Sequence, residues 1–519
     1  MKRALFGFLA LIAVGLMAGC GGGYNGSLLG GGGTPQPNAL NGQYAFVLTG
    51  FDSSGNPMGM AGSFKADGLG DITGEVDVND NGTVSSSTSL VGTYAFDANQ
   101  LGALVTVAFT NSVTNVAHPL AFGIALQANG AFGDIMSADA NNFILAGTVQ
   151  QQNSSVFSLT SLAADYIITL NGRNAAVPTS ALGRFTLGAS GASTNVLFDR
   201  SIAGVGSAPA TSAVVTFGSA GPDSNGRGTL TVTINDTLMP ASGTQNFAYY
   251  AITANRFVAV ETDATGTMIA DASRQATLSS FTATTVNTAG SVFGVAGVDS
   301  TGNEISAVGQ LQITGPTAGT LHIDSNDNGS IVGSATLPIQ TVAFDSATGR
   351  GTIAATGGSA DGLFDSAVFY LTASGTGFIL DTEPLSTNRA MAGTLTVQSG
   401  SPFALSALSG QMILRARGST VNDAQALVGT FSPTTTTGVY DFAFDQRFAP
   451  IPITTQTDQD LAAGVSAQIL VPATGRGTLS LPAFGATEVF YVIGPNQMVF
   501  IDVTPGSNSS SPLFFVNSF

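Results

Sequence analysis

The sequence predicts an all-β protein built as four tandem antiparallel β-sandwich or flattened β-barrel modules of about 120 residues each. Three observations carry this. First, LNGQY from Leu40, LAADY from Leu162, VNTAG from Val286 and LSGQM from Leu408 begin 122, 124 and 122 residues apart. Second, GRGTL at Gly226, GRGTI at Gly349 and GRGTL at Gly475 keep the same phase, with a degenerate LGALV at Leu101. The aromatic pairs Tyr249-Tyr250, Phe369-Tyr370 and Phe490-Tyr491 keep it too. Third, segments alternate with period two. TLTVTI puts Leu230, Val232 and Ile234 on one face and three threonines on the other; Val105, Val107 and Phe109, and Tyr44, Phe46 and Leu48, follow the same rule. Such alternation is the pattern of half-buried antiparallel strands.

The elements follow in order. Residues 1–19 read as a signal peptide: Lys2 and Arg3 precede an apolar run from Ala4 to Ala18, shorter than the ~20 residues of a membrane span. The run ends in Leu16-Met17-Ala18-Gly19-Cys20. This string resembles the lipobox of bacterial lipoproteins, although Met17 stands where leucine is usual. The resemblance implies that Cys20 is lipidated and becomes the first residue of the mature chain. Cys20 is the only cysteine, so it has no disulfide partner within the chain. Residues 20–37, GGGYNGSLLGGGGTPQP after the cysteine, are too rich in glycine to bury a core and read as a flexible tether.

The modules then span 38–156, 157–280, 281–402 and 403–519, with roughly eight strands each. Turn pairs such as Ser54-Gly55, Asn81-Gly82 and Thr301-Gly302 separate the strands. Gln-, Ser- and Ser-Gly-Ser-Pro-containing segments, near Gln150, Ser279 and Ser401, read as spacers between modules. A β-propeller is the alternative, because LNGQYAF at Leu40 and LVGTYAF at Leu90 hint at a half-module period. Over residues 38–519 the repeat resembles those of uncharacterised bacterial envelope lipoproteins, a resemblance that implies no particular activity.

The net charge is −17, and loss of Lys2 and Arg3 leaves Lys65 as the only lysine. Nucleic acid and anionic headgroups need basic surface, so neither is expected as a partner. Only 9% of residues are charged, so hydroxyls and amides must supply much of the solvated surface.

The motif that invites chemistry is VDVNDNGTV from Val76 and its counterpart IDSNDNGSIV from Ile323. Asp77, Asn79 and Asn81, and likewise Asp324, Asn326 and Asn328, occupy positions one, three and five of a calcium-type loop, with glycine at six. Position twelve is Thr88 or Ala335 where an EF-hand needs glutamate. A weak calcium site, helped by Glu75 or Asp71, competes with a plain Asn-Gly hairpin turn. Calcium is thus the only cofactor to consider. The Gly-Arg-Gly-Thr strings lack the lysine and helix of a phosphate loop; Arg227, Arg350 and Arg476 are expected to meet carboxylates of the acidic surface. His118 and His322 lie in different modules without cysteine nearby, which argues against zinc. No nucleophile-elbow string appears, and the chain has no tryptophan to build a sugar platform. No catalytic residue is assigned. The combined expectation is a non-enzymatic lipoprotein anchored to the membrane at Cys20, outer-membrane in location, serving adhesion or envelope structure against a cell-surface or extracellular polymer. A calcium- or glycan-binding module is the alternative, and a hydrolase the third reading.

Overall fold

A computed structural model describes residues 40–518 except 97–103, 111–118, 140, 142, 175–176, 235–242, 277–289, 300–303, 316–317, 328, 356–363, 383–388, 420–422, 451–456, 482–485 and 505–512. Thirty-two strands form four closed, eight-stranded antiparallel barrels, each a simple up-and-down meander. The barrels run from Asn41 to Gln151, Asp165 to Arg274, Ser291 to Val397 and Met412 to Ser518. Each closes by pairing its first strand with its last, as Tyr44 with Gln151 and Met412 with Ser518. Closure removes the unpaired edges that an open sheet would expose, so the barrel, rather than the sandwich or the propeller, is the form adopted.

The inward faces are the alternating apolar positions. Tyr44, Phe46 and Leu48 fill the first barrel with Val105, Val107 and Phe109; Leu230, Val232 and Ile234 fill the second. An eight-stranded barrel is just wide enough to be filled by side chains, and these interiors are filled by aromatic and branched residues.

The outward faces hold a feature that alternation alone does not predict. The first strand of the first barrel is buried at five consecutive positions, Tyr44 to Leu48. Ala45 and Val47 point outward and are covered by Tyr250, Ile252, Val258 and Val260 of the second barrel. Ile167 and Leu182 of the second meet Tyr370, Phe378 and Leu380 of the third. Val292 and Val308 of the third meet Val489, Tyr491 and Ile501 of the fourth. Ile413, Ala424, Ala426 and Val428 of the fourth meet Phe51, Ala125, Met136 and Ile144 of the first. In every case the first two strands of one barrel lie against late strands, between the sixth and the eighth, of the next. The four head-to-tail contacts therefore close on themselves as a ring.

The segments expected to be spacers between barrels are, where described, joints. Gln152, Gln275 and Gln398 are buried at the ends of the first three barrels. The Nε2 of Gln152 donates to the carbonyls of Asn225 and Ala251 in the second barrel, at 3.1 and 2.6 Å. Gln275 donates to Thr348 and Leu371 of the third, both at 2.8 Å. Gln398 donates to Thr474 and Val492 of the fourth, at 2.8 and 2.6 Å. Each Oε1 accepts from the barrel behind it, from Ser63, Arg184 and Gln310 respectively.

Candidate functional site

The two Asp-x-Asn-Asp-Asn-Gly stretches lie at the ends of the third strands of the first and third barrels, Asp71–Asp80 and Ala318–Asp327. Asn81 and Gly82 have φ of 47° and 87°, as a two-residue hairpin turn of the primed type requires. Asn328 and Cys20 lie outside the described residues.

Asp77 does not face the turn. A bulge between Val76 and Val78 and the left-handed backbone of Ser87, φ 53°, let the Ser87 N–H reach Asp77 Oδ1 at 2.9 Å. From the second barrel, Arg227 donates Nε to Oδ2 and Nη2 to Oδ1, both at 2.8 Å. Tyr250 donates its hydroxyl to Oδ2 at 2.6 Å. The carboxylate is wholly buried, and its two oxygens accept four hydrogen bonds. Asp324 is held in the same way by Ser334 N–H at 2.7 Å, by Arg476 at 2.8 and 2.6 Å, and by Tyr491 at 2.8 Å.

This arrangement engages Asp77 and Asp324 where the calcium reading needs free ligands. The four acceptor sites that a carboxylate offers are taken, and a guanidinium already supplies the positive charge. Asn79 is equally engaged: its Nδ2 donates to the carbonyls of Glu261 and Gly266, both at 2.9 Å, and its Oδ1 accepts from Gly82 N–H and the Thr267 hydroxyl. Asn326 donates to the Asp502 carbonyl at 2.8 Å. Glu75, a suggested helper ligand, accepts from Asn225 at 2.7 Å and lies 3.2 Å from Arg227 Nε. Among the described residues no group of three or more His, Cys, Asp or Glu is placed to hold a metal. His322 is paired with the Thr336 hydroxyl at 3.0 Å.

The second barrel repeats the joint without the Asn-Gly turn. Asp199, buried beside a bulge after Phe198, takes Arg350 Nε at 2.8 Å and Nη2 at 2.5 Å, and Tyr370 at 2.7 Å. The three-part marker of the repeat is thereby explained. In Gly-Arg-Gly-Thr the first glycine takes a left-handed φ of 70–75°. The arginine then points outward to the neighbouring barrel's aspartate. The second glycine lies under an inward aromatic ring: a Cβ on Gly228 would meet Tyr249 at 2.5 Å, and one on Gly351 would meet Phe369 at 2.0 Å. In each aromatic pair the first ring fills its own barrel, and the second, a tyrosine, leaves it to join the arginine. The arginines do meet carboxylates, but buried ones of another repeat rather than the acidic surface.

The electrostatics agree. The hydrogen bonds of Asp77 hold the Arg227 guanidinium above its ordinary range despite the cost of burial. Burial, and then the Asp77 charge, push the Tyr250 phenol well above its own. Both groups keep their protons across all ordinary pH.

Among the described residues the closing contact between the fourth and first barrels lacks this trio. The cross-strand pair that is Arg227 with Tyr250 in the second barrel is Leu104 with Ala125 in the first. This is where the marker degenerates to LGALV. Asp134 with Arg415, Nε to Oδ1 3.0 Å, and Arg447 donating to the Asp139 carbonyl bind this contact along with its apolar residues.

The barrels enclose one further feature, a cavity of about 380 Å³ whose wall is drawn from all four. It lies between the barrels and not inside one.

No protein-family model and no curated protein matches the chain. Among solved structures, CghA aligns at 11% identity over 92% of this chain and 89% of its own, with a TM-score of 0.15. A transferrin-binding protein B from Haemophilus parasuis aligns at 7% identity over 94% and 97%, with a TM-score of 0.18. Similarity at these scores does not define a common fold.

Proposed function

We propose that the chain is a lipid-anchored protein of the bacterial envelope, non-catalytic, in which a tether from Cys20 displays the four-barrel ring for adhesion or envelope structure. The observation that carries this reading is the use made of the reactive side chains. The aspartate, arginine and tyrosine that recur in the repeat bind barrel to barrel, the aspartate and tyrosine buried and the arginine half-buried in doing so. A repeat that spends its ionic groups on joints has been shaped for a rigid body. The proposed attachment point is Cys20, from the resemblance of Leu16-Met17-Ala18-Gly19-Cys20 to a lipobox. The charge of −17 favours a neutral or cationic surface polymer over nucleic acid as the partner.

Two measurements test it. Mass spectrometry of the mature protein should find an acylated Cys20 at its amino terminus, and Cys20→Ser should leave the chain unprocessed or soluble. Cells lacking the protein should lose attachment or envelope integrity and keep normal growth on any nutrient. Turnover of a glycan, ester or peptide by the purified protein, abolished by one carboxylate or serine substitution, would overturn the non-catalytic reading.

A further inference from the structure

The cavity at the centre of the ring is lined by equivalent positions of the four repeats. On the last strand of each barrel stand Thr148, Asp271, Thr394 and Asn517, each 123 residues after the one before. A smaller space of about 90 Å³ shares Thr49, Asn171 and Ile269 with it and is again walled by all four barrels. Together the two spaces are lined by Arg173, Arg256, Arg415 and Arg417. In a chain of net charge −17 with 15 basic residues, four arginines at one place are a marked concentration.

Their partners are unequal. Arg256 engages all three of its nitrogens: Nε and Nη2 reach the two oxygens of Asp271 at 3.1 and 2.7 Å, and Nη1 reaches Gln150 Oε1 at 2.9 Å. Arg417 donates to Glu304 at 2.8 Å and to the Thr49 hydroxyl at 3.3 Å. Arg415 is different. Its Nε lies 3.0 Å from Asp134 Oδ1, but neither atom completes a hydrogen bond, and its guanidinium sits 4.4 Å from the centre of the Phe515 ring. Among the described residues neither Nη group of Arg415 has an acceptor. Arg173 has no ion-pair or hydrogen-bond partner among the described residues, and burial pulls its pKa down. Among the described residues Thr148, Thr394 and Asn517 likewise make no side-chain hydrogen bond.

A guanidinium stays charged at any ordinary pH, and one removed from bulk water needs acceptors. Here the unused donors of Arg415 and the neutral polar side chains of three repeats line one space between the barrels, sized at the lower end of small-molecule sites. Asp134 offsets the Arg415 charge incompletely, because burial raises its carboxyl to about 7. We propose that the axial cavity is a binding site for one small oxyanion, a carboxylate or phosphate group, which accepts hydrogen bonds from Arg415 Nη1 and Nη2 with Thr148, Thr394 and Asn517 as neutral partners. Two fork-like donors suit the two oxygens of such a group. The site belongs to no single barrel and exists only in the closed ring, so it is independent of the adhesive reading above.

The experiment titrates the purified full chain in detergent with inorganic phosphate and, separately, with acetate and citrate, by calorimetry and thermal melting, with chloride at equal ionic strength as control. The expected result is one oxyanion per chain and a rise in melting temperature that chloride does not reproduce; whichever of phosphate and carboxylate binds more tightly names the source. Arg415→Met should weaken binding about tenfold or more. Should that variant fold poorly, Thr148→Val with Asn517→Leu, which leaves every charge in place, should still weaken binding several-fold. An equal response to chloride, no oxyanion response, or wild-type affinity in the folded variants would overturn the site.

Discussion

Arg227, on the second barrel, holds both carboxylate oxygens of Asp77, on the first, at 2.8 Å. The two residues are 150 apart in sequence, and the same bond recurs between Arg350 and Asp199 and between Arg476 and Asp324. Three of the four contacts in the ring therefore use one device: a buried fork-to-carboxylate pair completed by a tyrosine hydroxyl.

The cost of breaking that device is the first prediction. Arg227→Met leaves Asp77 buried without its counter-charge, and removing one partner of such a pair costs about 3–5 kcal/mol. The double variant Asp77→Asn with Arg227→Met should recover a large part of the loss, because no charge is then stranded. Denaturant melts of the two singles and the double, read as a cycle, check this. Additive losses would show that the two side chains do not act as a unit.

Cooperativity gives the second. Each barrel buries outward residues against two neighbours, as the third does with Val292 and Val308 on one side and Tyr370, Phe378 and Leu380 on the other. A barrel cut out of the ring would expose both patches, and patches of that kind drive association. The whole chain should melt in one calorimetric transition whose van't Hoff and calorimetric enthalpies agree. An isolated fragment 281–402 should aggregate or self-associate. Four resolved transitions, or a soluble monomeric fragment, would show that the joints contribute little.

Calcium supplies a third test. With Asp77 and Asp324 each accepting four hydrogen bonds, about 1 mM calcium should leave the melting temperature unchanged, where a site with a dissociation constant near 0.1 mM would add roughly 1.4 kcal/mol. A shift abolished by Asp324→Asn would restore the calcium loop.

The pH dependence follows from Glu261, which lies in the joint between the first two barrels. Burial, with Asp263 beside it, raises its carboxyl to about 8, and its Oε2 has no hydrogen-bond partner. The folded state holds this proton more tightly than the unfolded chain, where the value is about 4.3. Its contribution is thus fully present below about pH 4, is lost as pH rises through that window, and reaches its minimum above about pH 8. Asp134, raised to about 7, acts in the same direction. Glu261→Gln should therefore stabilise the protein at pH 8.5, by about 1–3 kcal/mol, and narrow the difference in melting temperature between pH 5.5 and 8.5. A variant no more stable than wild type at pH 8.5 would refute this.

The sequence by itself determined the class, the count and the phase. Period-two alternation is a local property of strands, so the inward residues Leu230, Val232 and Ile234 could be read directly. Repetition of LNGQY, GRGT and the aromatic pair counts modules without any knowledge of their shape. Asn81-Gly82 as a turn was legible for the same reason, because its backbone preference is local. The tertiary structure decided what those markers are for. Asp77 precedes a turn glycine in the usual order of a calcium loop, and only the arrival of Arg227 from another barrel shows that its charge is already matched. Gln152 looks like linker composition until its amide is seen bonded to two carbonyls of the next barrel. The axial cavity could not be read at all, since its wall takes single residues from repeats hundreds of positions apart. Ring closure alone brings them together, and that closure rests on outward faces whose burial has no periodic signature in the chain.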